Sequence, residues 1–182
     1  MKRLTAFTVS ILLAGCAQSP EWAGGSGGWT TLIDGTRGVE NWNRVGDANW
    51  RIAEGLLLSD AGGKVPAHLV TKKSYGNFVL RVEFLAGADT SAGVLVRCQN
   101  AAVVSDKSCN AALISSQGGG AASVAGGQWN VLEIAADDAR LRATLNGQPM
   151  AGVADSQVAS GPIALQWGRG VIKFRKIEIK PI

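Results

Sequence analysis

The chain has 182 residues, 18 of them Lys or Arg and 14 Asp or Glu, for a formal charge of +4. Setting aside Lys2 and Arg3, which sit in a leader, leaves 16 basic against 14 acidic side chains, a net of +2. That is no nucleic-acid signature, and the basic residues that cluster near the end, Arg169, Lys173, Arg175, Lys176 and Lys180, alternate with apolar ones and read as the solvated edge of a strand rather than a polyanion site.

Residues 1–15 read as a lipoprotein signal peptide. Lys2 and Arg3 supply its positive start, and Leu4 to Ala14 is an apolar run shorter than the roughly 20 residues a bilayer-spanning helix needs. Leu13-Ala14-Gly15-Cys16 has the form of a bacterial lipobox, which makes Cys16 the lipidated first residue of the mature chain. The alternative is an ordinary secretory peptide in which Cys16 is incidental. Ala17, where an Asp would retain the protein at the inner membrane, points to an outer-membrane anchor facing the periplasm. Residues 16–28 are a Gly/Ser-rich tether, and 29–182 are one domain's worth of chain.

Within that domain helical periodicity is almost absent. Short β-rich runs recur instead: Trp29 to Ile33, Trp50 to Ala53, Leu56 to Ser59, His68 to Thr71, Phe78 to Leu85, Gly93 to Arg97, Ala111 to Ser115, Trp129 to Ala135, Leu141 to Leu145, Pro162 to Trp167 and Val171 to Ile179. Turn dipeptides such as Glu54-Gly55 and Asn146-Gly147 separate them. So many short strands in one domain predict an all-β sandwich of two antiparallel sheets.

Alternation assigns faces. Phe78, Leu80, Val82 and Phe84 recur at every second position and predict a core face, with Arg81 and Glu83 opposite. In the next run Leu95 and Arg97 share a face, and if the two strands pair, Glu83 and Arg97 meet on one surface. In the last run Ile172 and Phe174 have one parity and Ile177 and Ile179 the other, which predicts a bulge near Arg175-Lys176. With Cys16 lipidated, Cys98 and Cys109 are left to form a disulfide, which export permits. Two cysteines and the single histidine, His68, cannot complete a zinc shell, so neither metal nor cofactor is expected. His68 has no motif around it and reads as a surface or satisfied residue.

Three segments carry a resemblance: Val70-Thr71-Lys72-Lys73-Ser74-Tyr75-Gly76-Asn77-Phe78, Leu80-Arg81-Val82-Glu83-Phe84 and Ser91-Ala92-Gly93-Val94-Leu95-Val96-Arg97. Flanking pieces, among them Leu32-Ile33-Asp34-Gly35, Gly127-Gln128-Trp129-Asn130 and Gly161-Pro162-Ile163-Ala164-Leu165-Gln166, follow in the same order. Together they resemble the 3-keto-disaccharide hydrolase domain family from about Trp29 to the end of the chain.

The resemblance implies a concanavalin-like jelly roll with a carbohydrate ligand on its concave face, and hydrolysis of 3-keto-glycosides as the activity. It also exposes a departure. The family offers acids on the strand that here reads Asn110-Ala111-Ala112-Leu113-Ile114-Ser115-Ser116, where Ala111 and Ser116 replace a glutamate and an aspartate. A histidine that follows the final Leu-Gln in the family is replaced by Trp167.

Glu83 is then the acid expected to be catalytic, with Arg97, Gln166 and Trp167 binding substrate on the concave face and Lys72 and Lys73 at its rim. The competing readings are a surface ion pair for Glu83 and Arg97 and a core position for Trp167. Two further function classes stay open: a glycan-binding module that has lost its acids, and a structural envelope lipoprotein.

Overall fold

A computed structural model describes residues 28–63, 66–105, 107–116, 122–124, 126–151 and 157–182. The signal peptide, Cys16 and the tether apart from Gly28 lie outside the described residues. The strands are β1 (Thr30–Asp34), β2 (Trp42–Val45), β3 (Arg51–Ala53), β4 (Leu56–Ser59), β5 (Ala67–Tyr75), β6 (Phe78–Ala86), β7 (Ser91–Val96), β8 (Asn110–Ser115), β9 (Ala122–Ser123), β10 (Trp129–Asp137), β11 (Arg140–Leu145), β12 (Gln148–Pro149), β13 (Gly161–Arg169) and β14 (Ile172–Pro181). Among the described residues a 3-10 turn, Val39–Asn41, precedes β2.

The strands form two stacked sheets. One runs β12-β11-β10-β6-β14-β4-β3, with β1 also paired to β14, and the other runs β2-β5-β13-β7-β8-β9. Pairing is antiparallel except between β8 and β9. The core lies between the sheets because each supplies one apolar parity: Phe78, Leu80, Val82 and Phe84 from β6 against Val94 and Val96 from β7 and Ile163 and Leu165 from β13, all at most 1% exposed. At Asn146-Gly147 both residues take positive φ, 51° and 79°, as the tight hairpin between β11 and β12 requires.

The phase change in β14 is a bulge. Phe174 pairs with Phe84 and Lys176 with Glu83, leaving Arg175 unpaired on the ladder to β6. On the other edge of β14 the partner changes at the same point. β4 pairs as far as Phe174, β1 takes over at Lys176, and the Arg175 carbonyl accepts the Gly35 N–H at 2.8 Å. The extra residue keeps Ile172, Phe174, Ile177 and Ile179 all facing the core.

A second irregularity falls in β5. Ser74 pairs with Pro162 and Val70 with Ala164, so Thr71, Lys72 and Lys73 stand opposite Ile163 alone. Buried Thr71 takes the place of the lost ladder: its Oγ1 accepts the Ile163 N–H at 2.9 Å and donates to the Lys73 carbonyl at 2.7 Å. A regular strand would send Lys72 and Lys73 to opposite faces. Here both are exposed and, with Ser74, border one cleft.

Candidate functional site

The outer face of the six-stranded sheet is where the acids of related sequences would stand. Here one end of that face is a second, small apolar cluster. Val70, Leu95 and Ala164 are fully buried on it, Val45 and Ala111 pack beside them, and Val104 folds down from above. Val104 belongs to the loop closed by the disulfide between Cys98 and Cys109, and both cysteines join the cluster. Ser108 shapes the loop by donating from Oγ to the Val103 carbonyl at 3.0 Å. Ala111 thus adds to an apolar seam beneath a disulfide-bonded flap.

Beyond the flap the face carries a cross-strand row. His68 pairs with Gln166, Gln166 with Gly93 and Gly93 with Leu113. His68 is 2% exposed, and burial pulls its imidazole pKa below the ordinary value. Its Nε2 and the Gln166 Oε1 are buried without a hydrogen-bond partner. Leu113 is exposed. The described residues that this face presents include no Asp or Glu.

The open concavity lies elsewhere, on the flank where the edges of the two sheets part. It is a cleft of about 680 Å³, within the roughly 300–1,000 Å³ of small-ligand sites. Trp42, Tyr75, Phe78, Leu32 and Ile179 give it an apolar floor continuous with the core. Thr30, Thr31, Ser74 and Asn41 offer polar groups, and Lys72 and Lys73 stand over it. The Tyr75 ring meets Phe78 edge-on at 6.3 Å. Burial raises the Tyr75 phenol pKa, so the hydroxyl stays protonated at neutral pH.

Gly76 and Asn77, at the turn between β5 and β6, form a wall of this cleft, and Arg97 holds them from behind. Arg97 is fully buried and has a left-handed φ of 50°. Its guanidinium donates to the Gly76 carbonyl from Nε at 3.2 Å and Nη2 at 3.0 Å, to Asn77 Oδ1 at 2.9 Å, and to the Asp138 carbonyl. Burial pulls its pKa down while Asp138 and Asp137 oppose the shift; arginine remains charged throughout.

The residues expected on one surface are therefore dispersed. β6 lies between β10 and β14 in the larger sheet, whereas β7 lies between β13 and β8 in the other. Glu83 and Arg97 do not meet, because the link after β6 crosses from one layer to the other instead of making a hairpin. Glu83 points outward from the larger sheet and is paired with Arg175, whose guanidinium also stacks 4.5 Å from the Trp129 ring. The same motif repeats alongside, with Arg81 on Glu133 at 2.8 Å and 4.5 Å from the Trp29 ring. Arg97 is internal, so it is not on a concave face. Gln166 is on the outer face of the six-stranded sheet. Trp167 is core, 5% exposed, with its indole N–H donating to the Gly170 carbonyl at 2.8 Å, so no sugar ring can stack on it. Lys72 and Lys73 alone of the expected set line the cleft together. Sequence reasoning passed over Thr71, Tyr75 and the burial of His68. For Tyr75 a signal existed, as an aromatic next to two lysines in the resemblance segment.

A family model described as the 3-keto-alpha-glucoside-1,2-lyase-like domain matches residues 28–180. No curated protein matches the chain. Among solved structures, the fold is similar to a candidate glycosyl hydrolase from Parabacteroides distasonis, 20% identical, with a TM-score of 0.65 over 85% of this chain and 100% of that one. It is also similar to carbohydrate binding module CBM66 from Bacillus subtilis, 13% identical, TM-score 0.61, over 84% and 95%. A third similar structure is the potassium-bound carbohydrate recognition domain of Emp46p, 10% identical, TM-score 0.58, over 82% and 95%. With nearly all of its sandwich matched by the family model, the chain belongs to the 3-keto-alpha-glucoside-1,2-lyase-like domain family.

Proposed function

We propose that this protein is a glycan-binding module, held at the bacterial envelope by lipid on Cys16, that takes carbohydrate in the cleft beside Lys72, Lys73 and Tyr75 without cleaving it. Family membership and the likeness to a candidate glycosyl hydrolase and to carbohydrate-binding domains support a carbohydrate ligand. The observation that carries the non-catalytic reading is Ala111. It replaces the family's glutamate within an apolar cluster roofed by the Cys98–Cys109 loop. Glycoside hydrolysis ordinarily needs two carboxyl groups across one cleft, and elimination from a keto-sugar needs a positioned base. Glu83 serves neither from its place against Arg175 on the far face of the other sheet. The cleft instead offers the half-buried Tyr75 ring to the apolar face of a pyranose, and hydroxyl and amide groups for its rim.

A thermal-shift screen against plain and 3-keto disaccharides tests this reading, since a ligand that binds only the folded state raises the melting temperature. Saturable stabilisation by a sugar with no glycoside released on overnight incubation is the expected result. Release of free monosaccharide would establish the hydrolase instead, and no shift with any sugar would leave the sandwich as a scaffold.

A further inference from the structure

We infer that the cleft selects acidic carbohydrate, a sugar carrying carboxylate or sulfate groups, over neutral carbohydrate. The inference rests on the proposal that this cleft binds sugar, and it follows from the charge the fold concentrates there. Lys72 and Lys73 are neighbours in sequence and would diverge on a regular strand. The bulge pinned by Thr71 brings both to one opening. Placing two ammonium groups together costs repulsion unless something negative answers them.

Nothing described in the cleft does so. The residues lining it include no Asp or Glu. Elsewhere Arg37 pairs with Asp34, Lys173 with Glu54 and Lys176 with Glu178, whereas Lys72 and Lys73 enter no described ion pair. Of the carboxylates on neighbouring turns, Glu40 accepts the Gly38 N–H at 3.0 Å and Asp138 accepts from Asn77 Nδ2 at 3.0 Å.

Several acceptors of the wall are engaged too. The Gly76 carbonyl and Asn77 Oδ1 are taken by Arg97, and the Lys73 carbonyl by the Thr71 hydroxyl. Lys72 and Lys73 add donors and positive charge, and no acceptor, to a rim whose hydroxyls and amide at Thr30, Thr31, Ser74 and Asn41 both donate and accept. Donors over an apolar floor suit a ring whose substituents are anionic acceptors. A neutral sugar finds hydroxyl and amide partners at this rim but leaves the two positive charges unanswered.

Calorimetric titration of the full chain with trigalacturonate, its fully methyl-esterified form and a sulfated oligosaccharide of similar length is the test. The ester removes the charge and keeps the sugar. We expect at least one acidic ligand to bind roughly tenfold or more tighter than the ester, with an advantage that shrinks as salt rises. Carboxylate and sulfate arms identify which anion is preferred. Lys72→Gln and Lys73→Gln should each weaken acidic binding several-fold, and more than they weaken binding of the ester. Both side chains are exposed, so an unchanged melting temperature verifies that these variants fold. Equal affinity for the ester and both acidic ligands would overturn the acidic preference while leaving sugar binding intact. Binding of none of the three, together with no response to any neutral sugar, would overturn the glycan-binding reading itself.

Discussion

Arg97 Nη2 donates to Asn77 Oδ1 at 2.9 Å, and through that bond a fully buried guanidinium sets the wall of the open cleft. The same Asn77 oxygen accepts the Asp138 N–H at 3.1 Å, so the turn between β5 and β6 and the turn between β10 and β11 are tied to one cation. Arg97 is thus a positioning residue that a ligand in the cleft does not touch. Replacing it with Met should cost about 3 kcal/mol or more, because several buried acceptors lose their donors at once. Urea unfolding measures this. An unchanged midpoint with lost sugar affinity would place Arg97 in direct contact with ligand instead.

Thr71→Val keeps the shape of the side chain and removes the hydroxyl that stands in for the ladder at the β5 bulge. The Ile163 N–H and Lys73 carbonyl then lose their partner, at about 1–3 kcal/mol. Sugar affinity should fall with stability as Lys72 and Lys73 lose their shared direction, and Thr71→Ser should restore both. Affinity that survives in the valine variant would detach the bulge from binding.

Glu83→Gln separates the expectation drawn from alternation from the site the fold builds. Glu83 is partly exposed beside Arg175, with side-chain exposures of 21% and 46%, so the pair contributes under about 1 kcal/mol. The variant should bind carbohydrate as the wild type does and melt within a few degrees of it. Loss of binding, or of any turnover found in the wild type, would return Glu83 to the functional centre.

His68 predicts a pH dependence of stability. Burial depresses its folded-state pKa below the ordinary 6.5, so above that pH both states are neutral and the contribution is fully present. As pH falls below about 6.5 the unfolded chain takes up a proton that the folded one resists, and stability declines toward the depressed folded pKa. Melting temperature should drop between pH 7 and 5, and His68→Gln should flatten that part of the profile. An equally steep profile in the variant would assign the loss to other groups.

The fold was largely legible because period-two runs and turn dipeptides are local signals. Even the bulge at Arg175 could be read, since apolar residues on both sides of it report the phase. The bulge in β5 could not be, because Lys72, Lys73 and Ser74 are polar and carry no phase. β2, Trp42–Val45, is missed for a related reason: its central Asn43 and Arg44 are polar and interrupt any β-rich run. The site failed at a different step. Alternation tells which residues of one strand share a face, but it does not tell which sheet the strand joins, so pairing the two strands puts Glu83 and Arg97 on one surface although the chain changes layers between them. Burial of a charged arginine is rare enough that nothing in its neighbours foretold Arg97's place.

The most direct measurement of the central claim is an NMR titration of the isotopically labelled protein with a carbohydrate that stabilises it, following amide shifts and the sugar's own signals together. The account predicts perturbations centred on Thr71, Lys72, Lys73, Tyr75 and Asn77, with sugar signals unchanged over days. Perturbations confined to the strand of Glu83 or to Ala111 and Leu113, or the growth of product signals, would contradict it.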